Sequence, residues 1–371
     1  MQKFAIPTAV YSGSGSLEQL SVIKNNHIWI VCDRFLVENK AVTKLLKHID
    51  DTNMVDIFPD VVPDPPLENV ARGVEVAIQL KPQILLAFGG GSAIDTAKGI
   101  LLFLKKSGSN PIKKFIAIPT TSGTGSEVTA ATVLTDRKSK VKYPIFTEEI
   151  IPDEAILDPE LVVSVPPTIT ANTGMDVLTH ALEAYVSKNA NSFTDALAEK
   201  SFQLAIENLV DCYKNGANIA SRTKVHDAST LAGMAFNSSN LGLNHSIAHQ
   251  IGAKFHIPHG LANALLLKPV AQFNAKASPY ALKKYAHLAR ISRISEAEDD
   301  DEALVDLTNL FERLMVAMKM PLTLSECDIQ KSSIQKELDT MCTAVLTDAC
   351  FATNPVQPTK DEIKAIILSV I

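Results

Sequence analysis

Short, uninterrupted apolar runs recur through the first ~165 residues, separated by segments whose apolar positions repeat with the helical period. The runs are 27–33 (HIWIVCD), 53–58 (NMVDIF), 83–90 (QILLAFGG) and 115–121 (FIAIPTT). Runs of this length, apolar at successive positions, predict strands covered on both faces, as in a parallel sheet. Between them, 67–81 (LENVARGVEVAIQLK) and 93–106 (AIDTAKGILLFLKK) read as helices. Strand–helix alternation predicts an α/β fold. Segments 129–136 (TAATVLTD) and 140–146 (KVKYPIF) read as an appended hairpin. After 162–170 (VVSVPPTIT) strand patterns nearly vanish and the period is helical, as in 194–213 and 304–320. The boundary is placed at Pro166-Pro167, giving an α/β domain over 1–166 and an all-α domain of seven to nine helices over 167–371.

Composition supports two packed domains. The chain has 371 residues, 46% hydrophobic and 20% charged, so a large core forms and disorder is not expected. The net charge is −6 and basic residues form no block, which argues against a nucleic-acid partner. No apolar run reaches the ~18 residues of a membrane span, and the start (MQKFAIPTAVYSGSG) has no signal-like core. Five scattered cysteines without a C-x-x-C fit a reducing compartment. The expectation is a cytoplasmic protein with no membrane partner.

Two glycine-rich loops follow buried strands. Residues 89–95 (GGGSAID) open a helix, so close backbone approach and a free helix N-terminus can cradle a diphosphate. Residues 119–129 (PTTSGTGSEVT) form a second polar loop. Two such loops at strand C-termini mark the crevice where open α/β sheets bind nucleotides. A third stretch, 13–20 (GSGSLEQL), reads as a helix start capped by Ser16. Asp33, at the end of the first long run, can bind both ribose hydroxyls of an adenosine and repel a 2′-phosphate; it can equally cap the helix that follows.

In 174–183 (GMDVLTHALE), Asp176 and His180 lie four residues apart, on one face of an otherwise apolar helix. Alone, that pair reads as a surface ion pair or a satisfied core histidine. Six of the nine histidines, however, fall between 180 and 259. Asp176, His180, His245 and His259 make a nitrogen–oxygen set suited to one Fe(II) or Zn(II), with room for a substrate oxygen.

The motifs GGGSAID, PTTSGTGSEVT, GMDVLTHALE, GLNHSIAHQIGAKFHIPHGLANALLL and TNPVQPT resemble the iron-containing (group III) alcohol dehydrogenases nearly end to end. The resemblance implies an N-terminal dinucleotide-binding (Rossmann-like) domain, a helical metal-binding domain and an active site in the cleft between them. It implies NAD(H) and Fe(II), with Zn(II) as the alternative ion, and assigns the metal to Asp176, His180, His245 and His259. It assigns the diphosphate to Gly90, Gly91, Ser92 and Asp95, and a second nucleotide loop to Thr120, Thr121, Ser122 and Thr124. Lys142 matches a lysine near the ribose and nicotinamide, and His249 a histidine near the substrate. Asp64 departs from an asparagine found in some relatives, leaving its adenosine contact open. Segments such as HIWIVCD, KYPIF and STLAGMAF are further similar to a branch that serves propanediol degradation in bacterial microcompartments. That likeness implies reduction of a short aldehyde, propanal to 1-propanol, with a homo-oligomer and microcompartment enzymes or shell as partners. Lactaldehyde, 1,3-propanediol and butanol dehydrogenases share the motifs. An NAD-using lyase like dehydroquinate synthase and a non-catalytic microcompartment scaffold are the rival readings.

Overall fold

The computed structural model describes residues 3–138 and 141–371 and divides into two compact units. One comprises Ala5–Val165 with Ala217–Gly233; the other holds residues 3–4 with Pro166–Gly216 and Met234–Ile371. The division in the chain falls one residue before the expected 166/167 boundary, and a stretch of helix from the second half packs with the first.

The first unit contains β1 (Ala9–Ser12), β2 (His27–Asp33), α1 (Arg34–Glu38), α2 (Ala41–Leu46), β3 (Met54–Val61), α3 (Leu67–Leu80), β4 (Ile84–Gly89), α4 (Gly91–Lys106), β5 (Lys114–Pro119), β6 (Ala131–Asp136), β7 (Val141–Phe146) and β8 (Glu154–Leu157). Six strands form one parallel sheet in the order β1-β8-β5-β4-β2-β3. Successive residues of β2 and β4 feed two separate cores, as the two-residue period of a strand demands. Trp29, Val31, Leu85 and Ala87 pack under α3 and α4, while Ile28, Ile30, Leu86 and Phe88 pack under α1 and α2. Because both faces are covered, these strands read as continuous apolar runs. β6 and β7 pair antiparallel from Ala131↔Phe146 to Asp136↔Val141, as the hairpin reading expects; Lys140 lies outside the described residues.

The strand order reverses between β2 and β4. The chain leaves β2 toward β3 and leaves β4 toward β5, so the loops after Asp33 and Gly89 open on opposite sides of one crevice. The start at 13–20 differs from its reading. Ser16–Val22 is a 3-10 helix, its preceding Gly15 is left-handed at φ 82, and the Ser16 hydroxyl is buried without a partner. Asp158 does the capping instead, accepting from Gly15 N at 3.1 Å and Leu17 N at 3.5 Å.

The rest of the chain forms α5 (Pro167–Val186), α6 (Ser192–Lys214), α7 (Ile219–Ser239), α8 (Leu243–Phe255), α9 (His259–Ala277), α10 (Pro279–Ile291), α11 (Asp300–Ala317), α12 (Lys331–Val345) and α13 (Lys360–Leu368). These nine helices meet the upper end of the expected number. Capping boxes start α6 at Asn191 and α13 at Thr359, where Glu362 reaches back to the cap. α5 is buried all round from Gly174 to Val186. No helix among the described residues is long and apolar enough to cross a membrane.

Within the first unit, the loop 119–129 is clamped against α7. Gly125 sits at φ +61, and a Cβ added there would lie 2.7 Å from Gly233 Cα. Gly125→Ala therefore combines left-handed strain with a backbone clash and should cost roughly 2–4 kcal/mol. A thermal midpoint equal to that of the unmodified chain would contradict this packing.

Candidate metal centre

α5 carries Asp176 and His180 one turn apart, the first turn of α8 carries His245, and His259 is the first residue of α9. Ligand atoms of Asp176, His180 and His245 lie within 4.8 Å of one another. Nε2 of His259 is 3.6 Å from Asp176 Oδ1, and Nε2 of His245 is 3.7 Å from the same oxygen. The His180 and His245 rings stack at 4.6 Å, and Phe236 backs His180 at 4.6 Å. Three of these four residues are buried, whereas the His259 side chain is 42% exposed, so one side of the set opens outward.

Burial alone would raise Asp176, but His180, His259, His245 and the Asn263 amide together hold its carboxyl below the usual value. Burial, with His180 and His259 nearby, pushes His245 well below the ordinary imidazole value and keeps it neutral. A single carboxylate with neutral imidazoles is the form in which such groups ligate a divalent ion. Nδ1 of His180 is buried without a hydrogen bond, a further mark of a donor set that fits a cation.

Two neighbours fix how these groups point, and neither is a residue picked out from sequence. Asn263 Nδ2 donates to Asp176 Oδ1 at 2.7 Å and reaches Nε2 of His245 and His259 at 3.1 Å each. Its own Oδ1 accepts from Asn244 at 3.0 Å, which sets the orientation of the amide. Glu183 accepts from His245 Nδ1 at 2.5 Å and from Asn244 N at 2.6 Å. The network assigns the proton of His245 to Nδ1 and the free lone pair to Nε2. The same carboxylate caps α8, whose own cap position is Gly242, without a side chain. Burial pushes Glu183 up to about 7, against the backbone N–H groups of Asn244, Gly242 and His245. A sequence signal existed for it: Glu183 lies three residues beyond His180, on the same helix stripe.

His249, one turn after His245 on α8, donates from Nδ1 to Asp348 Oδ2 at 2.9 Å. Its ring stands 5.5 Å from that of His259, on the open side of the set. Asp348 lies 99 residues away in the chain and carried no local signal.

The glycine loops of the first unit also meet. A Cβ on Gly90 would lie 3.1 Å from Thr121 Oγ1, and one on Gly91 2.8 Å from Thr124 Cγ2. Thr120 N donates to Gly89 O at 3.0 Å. Gly90, Gly91, Ser92, Thr120, Thr121 and Thr124 thus form one cradle at the N-terminus of α4. Asp95 and Ser122 are not free to face a phosphate. The Asp95 carboxylate accepts from Ser126 Oγ at 2.8 Å and Val133 N at 3.1 Å, tying loop and hairpin to α4. Ser122 Oγ is paired at 2.8 Å with buried His226, which burial and Arg222 depress to about 4. Beneath the loop, the fully buried ammonium of Lys98 donates to Thr129 O at 2.7 Å, Ala131 O at 2.8 Å, and Ser126 Oγ and Thr129 Oγ1 at 3.0 Å. Asp33 fulfils the capping alternative, Oδ1 accepting from Leu36 N at 3.0 Å, while Oδ2 stands 3.8 Å from the Cβ direction of Gly89. Lys142 pairs with Asp64 at 2.5 Å on the exposed hairpin, which engages the Asp64 side chain.

Glu183→Gln retains an acceptor for the α8 amides but presents an N–H to His245 Nδ1. Affinity for a divalent metal should fall ~10- to 100-fold, read by competition with a chromophoric chelator. Unchanged affinity would rule out the orienting role.

Comparison with known proteins agrees with this chemistry. Residues 7–159 match the family pattern for iron-containing alcohol dehydrogenase, and residues 170–371 match the C-terminal domain of the Fe-containing alcohol dehydrogenase family. The chain is 47% identical to the 1-propanol dehydrogenase PduQ of Salmonella typhimurium, over 99% of both chains. It is 40% identical to the NADPH-dependent butanol dehydrogenase of Clostridium saccharobutylicum, over 99% of this chain and 97% of that one. Among solved structures, a 1,3-propanediol oxidoreductase superposes with a TM-score of 0.93 at 33% identity, over 100% of both chains. The sulfoacetaldehyde reductase of Bifidobacterium kashiwanohense in complex with NAD+ superposes at 0.88 and 27% identity, over 100% of this chain and 98% of that one. Sequence, fold and ligand chemistry converge: the chain is an oxidoreductase that belongs to the iron-containing alcohol dehydrogenase family.

Proposed function

We propose that this enzyme uses NAD(H) and iron to reduce short unbranched aldehydes, propanal foremost, to primary alcohols, and runs in reverse on the alcohol. The observation that carries the reading is the buried Asp176, His180 and His245 set whose fourth member, His259, faces outward beside His249. Bound iron supplies a Lewis acid for the substrate oxygen, and the nicotinamide supplies the hydride. The lyase and scaffold readings fall away with membership of an oxidoreductase family.

The protein's own groups orient and exchange protons. With Nδ1 of His249 held by Asp348, Nε2 is the atom left to take up or release the substrate proton. The His249 side chain is 39% exposed, so that proton can pass to solvent. Asn263 and Glu183 keep the lone pairs of the ligand histidines aimed while the substrate changes charge.

An uncharged substrate is favoured by what flanks the ligands. The two lysines near α8 and α9 are neutralised: Lys254 pairs with Glu337 at 2.9 Å and Lys268 with Glu312 at 2.9 Å. Leu261, Ala262, Leu265 and Leu266 of α9 are buried and apolar. The 1-propanol dehydrogenase relative and the narrower motif likeness favour a three-carbon chain. We extend the proposal to a homo-oligomer that regenerates NAD within or beside a bacterial microcompartment.

The substrate and the metal are tested separately from the cofactor. The substrate test compares kcat/KM with NADH across two- to six-carbon aldehydes, lactaldehyde and 3-hydroxypropanal. Propanal should lead, with neighbouring lengths within roughly 10- to 200-fold, because one methylene contributes only ~1–3 kcal/mol. A preference for either hydroxylated aldehyde would reassign the substrate. His259→Ala should lose metal and turnover yet still bind NADH; full turnover without metal would overturn the mechanism.

A further test concerns the cofactor. Asp33 carries a charge that disfavours a 2′-phosphate, so NADH should be preferred over NADPH. Asp33→Ser keeps an oxygen to cap α1 but removes the charge, and should narrow the preference by roughly 10-fold, ~1.4 kcal/mol. If the unmodified enzyme favours NADPH, as the butanol dehydrogenase relative does, Asp33 does not set the preference.

A further inference from the structure

A second group of metal-binding side chains stands in the helical unit, next to the Asp176 set but sharing none of its residues. His249 on α8 meets Asp348 and Cys350, which lie in the turn between α12 and the short 3-10 helix Phe351–Thr353. One ligand atom of each lies within 4.8 Å of the other two. Donors around a tetrahedral zinc stand roughly 3.5 Å apart, so the three need only close slightly around an ion.

The carboxylate is already fixed. Asp348 Oδ1 accepts from Cys350 N at 2.9 Å and Ser246 Oγ at 3.3 Å, which turns Oδ2 toward His249 Nδ1 at 2.9 Å. Burial, then the negative neighbours Asp348 and Glu183, hold the Cys350 thiol protonated, so it is a poor nucleophile on its own. A divalent cation reverses that balance, because its charge offsets the two carboxylates and the thiolate is the form it binds. The half-exposed His249 ring gives an ion a route from solvent.

We propose that His249, Asp348 and Cys350 form a second divalent-cation site, suited to zinc and other thiophilic ions, and that its occupation inhibits the enzyme by engaging His249. Binding exchanges the thiol proton for a sulfur–metal bond and releases that proton to solvent, while the Nδ1 proton of His249 passes to Nε2 and frees the Nδ1 lone pair for the ion. The two sites differ in softness: the Asp176 set has nitrogen and oxygen donors only, whereas this one includes sulfur. The inhibitory consequence rests on the role given above to His249; the binding site does not.

Cobalt(II) separates the two sites by spectroscopy, since only the second can show a thiolate-to-cobalt charge-transfer band. The intact chain should bind two equivalents of cobalt or zinc and show that band. Cys350→Ser should bind one equivalent and lack the band, while Cys327→Ser, altered at the other partly exposed cysteine, should keep both. A single equivalent in the intact chain, or a band that survives Cys350→Ser, would overturn the site. In the iron-loaded enzyme, Cys350→Ser should keep basal turnover and require at least ~100-fold more zinc for half-inhibition. Two equivalents and a Cys350-dependent band without zinc inhibition would keep the site and overturn its effect on His249. Cys350→Ala, which brings no hydroxyl donor, should behave as Cys350→Ser.

Discussion

The hydrogen bond between Glu183 and His245 Nδ1 is the interaction on which the centre depends. Burying two carboxylates, Asp176 and Glu183, and two histidines, His180 and His245, in an apolar bundle is unfavourable unless each finds a partner. Glu183 answers three needs with one carboxylate: it fixes a histidine tautomer, supplies the missing cap of α8, and joins α8 to α5. Asn263 completes the arrangement from α9, its amide touching one oxygen and two ring nitrogens of the ligand set. Each of the three helices therefore brings both a ligand and a group that aims ligands. Backbone contact sets their spacing as well. A Cβ on Gly260 would stand 2.0 Å from the carbonyl oxygen of Asn172, so the start of α9 rests directly on the backbone of α5.

In the sheet unit, Lys98 occupies the comparable position. Its ammonium has no exposure and is held by backbone and hydroxyl oxygens of 126–131, with burial lowering it to about 8 despite Asp95 and Glu127. Loop and hairpin are tied to α4 from beneath, so the cradle above presents backbone rather than long side chains. Asp95, assigned to the diphosphate by resemblance, belongs to this foundation. A linear motif does not show that its acid packs inward, against Ser126 and the hairpin, instead of facing a ligand.

What could be read from sequence follows the physics of each element. β2, β4 and β5 were plain because both of their faces are buried. β1 and β8 were not, being four residues each and recognisable only through their pairing with one another and, for β8, with β5. Asp176, His180, His245 and His259 stood out because carboxylate and imidazole are rare amid apolar helix positions. Asn263, Glu183 and Asp348 did not, since an amide or acid that serves a ligand has no pattern of its own until the fold supplies its partner. Ser16 does not cap the turn because the capping oxygen comes from Asp158, just after β8, which is distant in the chain but paired with β1 beside the turn.

The strip Ala217–Gly233 packs with the sheet unit although its helix, α7, continues into the other. The sheet unit is thus discontinuous in the gene. A fragment ending near residue 165 would leave the loop at Gly125 without the helix that closes over it, and Ser122 without His226. Recombination that swaps the coding region at the visible boundary would pair a loop from one parent with a helix from another. Lineages of this architecture should accordingly diverge by substitution within an intact chain, and the nucleotide-binding half should travel poorly as a cassette.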